Sequence, residues 1–440
     1  MIKITFLGAG STVFAKNVIG DCLCTPSLTE IEIALYDINK IRLEESKIIL
    51  DYINKNTNNE RAKIKTYCGI ESRKSALENA DFVVNAIQVG GYEPCTVDDF
   101  EIPKKYGINQ TIADTIGIGG IMRGLRTIPI MEFIANDMEK VCSDALLLNY
   151  TNPMSIITGY MQRYTSIKTV GLCHSVQTCS DGLLKDLGME EQLDGRIELI
   201  AGINHMAWLL EIKNKNGEDL YPEIKKRAIK KNLNEKHNDM VRYEYIKHLG
   251  YYCTESSEHN AEYNPFFIKS KYPELIEKFN IPLDEYPRRC ISQIKGWEDE
   301  KNKILKNGKI TYEKSNEYAS FIIDSIVRNS TFKIGANVLN TGLIDNLPKN
   351  ACVEVPCLVD GRGINPCYVG ELPVQLAAMN MTNINSQLLT IEAAKTKNKD
   401  YIYQAAMFDP HTSSELSIDD IVKLCDELIE AHGAFMECYK

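Results

Sequence analysis

From Ile2 to Ser175, short apolar runs rich in β-branched residues alternate with stretches whose apolar positions recur every three or four residues. The runs are Ile2–Leu7, Ile31–Tyr36, Ile64–Tyr67, Phe82–Ile87, Ala145–Asn149 and Thr169–Cys173, and amphipathic stretches such as Ile41–Asn54 and Arg126–Lys140 lie between them. A fully buried strand reads as a wholly apolar run and an amphipathic helix as a period near 3.6. The alternation therefore predicts a parallel sheet with crossover helices, a doubly wound α/β arrangement. Beyond Ser175 the pattern changes. Ile197–Gly202 and Ala207–Ile212 read as paired strands, followed by the turn signal Asn216-Gly217. Helical patterns follow at Met240–Leu249, Glu285–Lys306 and Ser315–Val327. A second strand pair, Phe332–Asn340 and Ala351–Leu358, precedes helices at Val374–Lys397 and Ile418–Ala431, the last stopped by Gly433. The expectation is a Rossmann-type domain over residues 1–175 and an α+β domain over 176–440, packed closely because no repeat or linker separates them.

A chain of 440 residues exceeds one ordinary core, which agrees with that division. The net charge of −10 and the lack of a Lys/Arg block argue against nucleic acid and anionic membranes as partners. Lys225-Lys226-Arg227 and Lys230-Lys231 sit among helix formers and read as a solvated face. No apolar run approaches the roughly 18 residues of a membrane span. The first strand begins beside Met1 with no basic region, apolar core or cleavage site, so no signal peptide is expected. The 14 cysteines are scattered without paired spacing, as in a reduced cytoplasmic protein.

The first run leads directly into Gly8-Ala9-Gly10-Ser11-Thr12. Glycines at this turn let the backbone approach a pyrophosphate, which then rests on the amides of the next helix. Val13 occupies the place of the third glycine of the usual fingerprint, and GxG alone is weak. The reading gains from Asp37, which ends the second run: a carboxylate there accepts hydrogen bonds from a ribose diol and repels a 2′-phosphate, favouring NAD over NADP. The alternative is a plain strand–helix turn capped by Ser11 or Thr12.

Other polar groups collect where apolar runs end, as ligand sites do in open α/β sheets. They are Asn149-Tyr150-Thr151-Asn152, Cys173-His174-Ser175 and Asn204-His205-Met206. Cys173 and His205 are of metal-ligand type, but no CxxC or HxxxH spacing supports them, and a buried thiol and a satisfied imidazole explain them as well. The segment Glu255-Ser256-Ser257-Glu258-His259-Asn260-Ala261-Glu262-Tyr263 is dense in ionisable groups and reads as a site or a surface loop.

Longer blocks are more specific. FLGAGSTVFAKN, QVGGYEPCTVDDFE, QTIADTIGIGGIMRGLRTIP, LNYTNPM, VGLCHSVQ, AGINHMAW, TESSEHNAEY, PLDEYPRRC, GLIDNLP and AAMFDPHT together make nearly the whole chain resemble glycoside hydrolase family 4, whose members depend on NAD and a metal. The likeness is greatest to the family's bacterial α-galactosidase branch. It implies an overall fold like that of lactate and malate dehydrogenases, and a homodimer or homotetramer. It also implies an unusual glycosidase chemistry, an exception to the two-carboxylate rule: NAD+ oxidises sugar C3, a base removes the acidified C2 proton, the C1 substituent is expelled, water adds, and the hydride returns. Carried over by position, Cys173 and His205 match the family's ligands for Mn2+ or another divalent metal, and Gly8, Ala9, Gly10, Ser11, Thr12, Asp37 and Gln88 its cofactor contacts. His174 stands where phospho-glycosidase relatives commonly carry an acidic Asp; Tyr263 matches the C2 base, with Glu258 as competitor. Asn149, Asn152 and Arg288 match substrate contacts.

One absence bears on the sugar. The 6-phospho branch carries an arginine after the fourth strand that grips the sugar phosphate, whereas this chain reads Val89-Gly90-Gly91-Tyr92-Glu93-Pro94-Cys95. A neutral α-galactoside such as melibiose or raffinose is therefore expected, with α-glucosides and α-galacturonides as alternatives. A 2-hydroxy-acid dehydrogenase would share the Rossmann half and could draw its carboxylate clamp from Arg123–Arg126, but it leaves Cys173 and Glu255–Tyr263 without roles. A non-catalytic NAD sensor would need no metal pair.

Overall fold

A computed structural model describes residues 1–307, 312–315 and 317–440. Its described strands form one mixed sheet. They are β1 (Ile2–Leu7), β2 (Ile31–Asp37), β3 (Lys63–Cys68), β4 (Phe82–Asn85), β5 (Leu146–Asn149), β6 (Thr169–Gly171), β7 (Ile197–Ile203), β8 (Met206–Lys213), β9 (Tyr252–Cys253), β10 (Phe332–Leu339), β11 (Cys352–Asp360) and β12 (Gly363–Pro366). The spatial order is β3-β2-β1-β4-β5-β6-β10-β11-β7-β8-β9, with β12 beside β11. The first six strands are parallel, in Rossmann order. Their connections reverse direction between β1 and β4, which opens a crevice at the carboxyl ends of these strands.

Burial explains why these runs became strands. β1, β2, β4 and β5 are covered on both faces, so their sequences are almost continuously apolar rather than alternating. Helices Thr12–Leu23, Lys40–Asn58, Gly117–Val141 and Met154–Tyr164 make the crossovers. The third extends well before the expected Arg126, through glycines that propensity disfavours. Packing decides: a Cβ on Gly119 would lie 2.7 Å from the Ala113 carbonyl, so only glycine lets the preceding loop lie against the helix.

The antiparallel half continues the same sheet. β10 joins β6 through the pair Asn337↔Gly171, and β11 joins β7 through Glu354↔Gly202. Such short ladders leave the sheet free to bend there. Strands expected to reach Ile87 and Cys173 stop at Asn85 and Gly171; one further bond each, from the Ala86 amide to the Leu7 carbonyl and from the Leu172 amide to the Asn149 carbonyl, ends the pairing. The helix expected over Ser315–Val327 runs over Tyr318–Arg328; Asn316, within the expected range, lies outside the described residues. Helix Tyr221–Asn234, opened by Pro222, had no counterpart in the hydrophobic pattern because only Tyr221, Ile224 and Ala228 are buried.

Candidate active site

The glycine turn after β1 has the shape a dinucleotide needs. Gly8 has φ +86°, and a Cβ there would lie 2.6 Å from the Ala86 carbonyl oxygen. Gly10 donates its amide to Asp37 Oδ2 at 2.6 Å, and its own Cβ would meet that carboxylate at 2.7 Å. Both positions are thus glycine by contact, and the turn delivers Ala9, Gly10 and exposed Ser11 to the start of helix Thr12–Leu23. Ser11 makes no side-chain cap bond to that helix, and the Thr12 side chain lies outside the described residues. The cradle closed to any Cβ, the helix start and the carboxylate of Asp37 fit an NAD pyrophosphate and ribose. Gln88 leaves β4 at the same edge, exposed, its amide 3.4 Å from Thr96 Oγ1.

Cys173 follows β6, and His205 (φ +62°) forms the turn between β7 and β8. β10 and β11 separate these strands in the sheet, yet the side chains meet. Glu255, after β9, joins them: the Cys173 Sγ, one His205 ring nitrogen and one Glu255 oxygen lie within 4.8 Å of one another. Burial opposes a charge on His205, but Cys173, Glu255 and Asp114 outweigh it and raise the imidazole to about 10. Burial likewise disfavours the Glu255 carboxylate, but His259, His205 and Arg242 bring it down to about 2. An anionic pocket offering sulfur, nitrogen and oxygen donors at this spacing fits a divalent cation.

The other His205 nitrogen faces the expected base. His205 Nδ1 is 3.0 Å from Tyr263 Oη, and the rings are nearly parallel. Burial pushes the Tyr263 phenol well above its ordinary value. Glu258, the competitor, is tied elsewhere: its carboxylate pairs with Arg289, and its carbonyl accepts from Thr111 Oγ1 at 2.6 Å. His174 Nε2 lies 2.5 Å from Oε2 of the buried Glu317, and this hydrogen bond raises the imidazole against the opposing effect of burial. Glu317 stands outside every motif in the sequence and only its long-range pairing reveals it.

Two expected sugar contacts are placed differently. Asn149 is fully buried; its oxygen accepts from Asn85 Nδ2 at 2.9 Å and from the Thr151 amide, and its Nδ2 donates to the Thr151 carbonyl at 3.2 Å, so it braces the loop. Arg288 is exposed and spends its guanidinium on Glu285 at 2.9 Å and the Leu283 carbonyl at 2.6 Å. Asn152 does reach the cleft, donating to Asp114 Oδ2 at 3.0 Å. Asp114 is buried; burial would raise its carboxyl, but Arg123, then His259 and His205, hold it low. Arg123 is itself buried, 3.2 Å from Tyr286 Oη and with its guanidinium over the Tyr286 ring. Arg126, the other arginine a hydroxy-acid clamp could use, is spent on a bidentate pair with Asp99 at 3.1 and 2.6 Å. Glu262, adjacent to Tyr263, accepts the amides of Thr111, Ile112 and Ala113 and so fixes the loop that presents Asp114.

Comparison with known proteins bears on the whole chain. The model of the family described as "Family 4 glycosyl hydrolase" matches residues 3–189, and that of its C-terminal domain matches residues 200–412. An α-galactosidase of Bacillus subtilis (strain 168) is 60% identical over 440 residues, covering 100% of each chain. An α-galactosidase of Rhizobium meliloti (strain 1021) is 32% identical, covering 99% of this chain and 89% of its own. Among solved structures, the 6-phospho-β-glucosidase of Thermotoga maritima with manganese, NAD+ and glucose-6-phosphate aligns with a TM-score of 0.76 at 21% identity, over 98% of both chains; at that identity the likeness shows the shared fold.

Proposed function

Because this chain belongs to family 4 of the glycosyl hydrolases, we propose that it hydrolyses terminal, unphosphorylated α-D-galactosides such as melibiose and raffinose. The observation that carries the reading is the 60% identity to an α-galactosidase along the entire length of both chains. The segment Gly91–Thr96 supports it further, since it places an exposed Glu93 and no arginine after β4, which disfavours a sugar phosphate.

NAD+, when bound, supplies an acceptor for the C3 hydride and returns it at the end of the turnover. A divalent metal such as Mn2+, when bound, supplies Lewis acidity to the C2 and C3 oxygens. The chain's own residues do the rest. Amides of the Gly8–Ser11 turn seat the pyrophosphate, Asp37 accepts from the adenosine ribose, and Gln88 borders the same crevice. Cys173 Sγ and His205, through the Nε2 that faces away from Tyr263, would hold the cation. Tyr263 Oη takes the C2 proton as a phenolate, its own proton lost to solvent beforehand. The His205 Nδ1–H, with the cation's charge when it is bound, offsets the burial that otherwise keeps the phenol neutral. Tyr263 is preferred to Glu258 because it lies against His205 while Glu258 is bound to Arg289. His174 protonates the departing oxygen through Nδ1, while Glu317 holds Nε2 and favours the protonated ring. Asn152 and Arg123 line the cleft on the sugar side. Fourteen free thiols suit a reducing cytoplasm, and no helix among the described residues is long and apolar enough to cross a membrane. The same family reading makes the protein a homodimer or homotetramer, which light scattering would show.

The test is release of p-nitrophenol from the α-galactoside by dialysed, reduced protein, with and without NAD+ and Mn2+, beside the α-glucoside, the α-galacturonide and a 6-phospho-glucoside. Release that requires both additions and favours the galactoside is expected. Preference for another sugar would overturn the specificity, and release without NAD+ the oxidative role.

A further inference from the structure

Cys173 and His205 alone give a cation two protein donors, one soft and one borderline. We propose that Glu255 is a third protein ligand of the same cation and holds it before the sugar arrives, an inference that rests on the metal reading above. Three observations carry it. The first is position: Glu255 Oε2 lies 3.7 Å from His205 Nε2, too far for a hydrogen bond and close to the roughly 3.3–3.7 Å between donors that share one ion at ordinary ligand distances. Cys173 Sγ completes the triangle within 4.8 Å.

The second is charge. The Glu255 side chain is only 22% exposed, and among the described residues its ion-pairing partners are His205 and His259, with no lysine or arginine within 4.0 Å. A sequestered carboxylate beside a thiol that ligates as thiolate carries two negative charges, the complement of a divalent cation. The third is backbone. Glu255 has φ +63°, and His205 has φ +62°. Side chains other than glycine are rarely held in this region, and such residues gather where the surroundings over-determine them, commonly at ligand sites.

The neighbours act on the carboxylate rather than on the cation. His259 Nδ1 is 3.4 Å from Glu255 Oε1 and 2.6 Å from Ser256 Oγ, and its ring stands edge-on to His205. It therefore orients Oε1 and leaves Oε2 directed at the shared point. A hard oxygen in this set also has a chemical consequence: it moves a thiolate–imidazole pair that would suit Zn2+ towards Mn2+.

The experiment is Mn2+ titration of sugar-free protein, with free Mn2+ read by electron paramagnetic resonance. Glu255→Gln keeps size and shape while removing the charge, and should raise the Mn2+ Kd by about tenfold or more. It should also shift competition in favour of Zn2+. Cys173→Ser and His205→Ala are run in parallel, with NAD+ affinity as the check on folding. If those two lose Mn2+ while Glu255→Gln binds as the parent does, Glu255 is not a ligand and the Cys–His reading stands. If all three bind as the parent does, the metal reading itself falls. Should Glu255→Gln fail to fold, Glu255→Asp, which withdraws the carboxylate by one methylene, must weaken Mn2+ binding; an unchanged Kd overturns the proposal.

Discussion

Replacing Gly8 by alanine should damage nucleotide binding far more than a glycine-to-alanine change at an unobstructed turn. Two costs combine at Gly8. Its φ of +86° is a left-handed conformation, worth about 1–2 kcal/mol against any L side chain. Its Cβ would also lie 2.6 Å from Ala86 O, 2.7 Å from Ala86 C and 2.9 Å from Ile87 N, all backbone atoms of the chain leaving β4. Backbone cannot rotate aside as a side chain can, so an overpacking cost of about 1–3 kcal/mol is added. Gly217 has nearly the same φ, +84°, with nothing within 4 Å of its Cβ, so Gly217→Ala bears the first cost alone. Relief at Gly8 requires the turn to move away from β4, which re-aims the amides of Ala9–Ser11. If the steric part falls on binding, NAD+ affinity drops roughly five- to 150-fold. Fluorescence titration of both variants with NADH measures this directly. Binding by Gly8→Ala within twofold of Gly217→Ala would refute the argument.

Three further outcomes follow from particular contacts. The raised His174 imidazole is stabilised as a cation below the unfolded value near about 6.5, and that stabilisation is lost as pH rises through the raised folded value. Glu317→Gln should therefore move the alkaline fall of kcat to lower pH, and an unmoved limb would dissociate His174 from proton transfer. Asp99→Ala leaves the buried Arg126 guanidinium unpaired and should cost about 3–5 kcal/mol in urea unfolding, with Asp99→Leu/Arg126→Met recovering part; a loss under about 1 kcal/mol would count against a dry pair. Glu262→Gln keeps one acceptor oxygen for three amides, a loss of about 1.5–3 kcal/mol, so hydrogen exchange at Thr111–Ala113 should quicken; unchanged exchange would mean that the loop holds itself.

The N-terminal half was legible because its strands are buried on both faces, and such strands read as apolar runs whatever their order. The close packing of Asp37 against the Gly8–Gly10 turn was legible for a related reason: it is local to one strand–helix connection. Strand order was not legible, since nothing in β6 announces that β10 will pair with it through Asn337. The Cys173–His205 meeting depends on that order, so spacing along the chain could not show it and only the family resemblance pointed there. Glu317 looks in sequence like any surface carboxylate, and Glu255 is one of several ionisable groups in a dense segment with no individual role; their burial and partners appear only in three dimensions. Asn149 is a case where sequence and geometry give different information. A polar residue at a strand end reads as a contact to ligand; this one also bonds Asn85 and the Thr151 backbone, and Arg288 bonds Glu285, partners that the sequence does not announce. Residue type and chain position do not report which way a side chain is already engaged.

In the proposed chemistry, the C2 proton of the galactoside is removed while NAD+ holds the C3 hydride. Hydrolysis of p-nitrophenyl α-D-galactoside in D2O, with the released sugar read by NMR, tests it most directly. Deuterium is expected at C2, delivered from solvent, and protium at C3, returned from the cofactor. Galactose that keeps its protium fully at C2 would contradict it and require a direct displacement at C1.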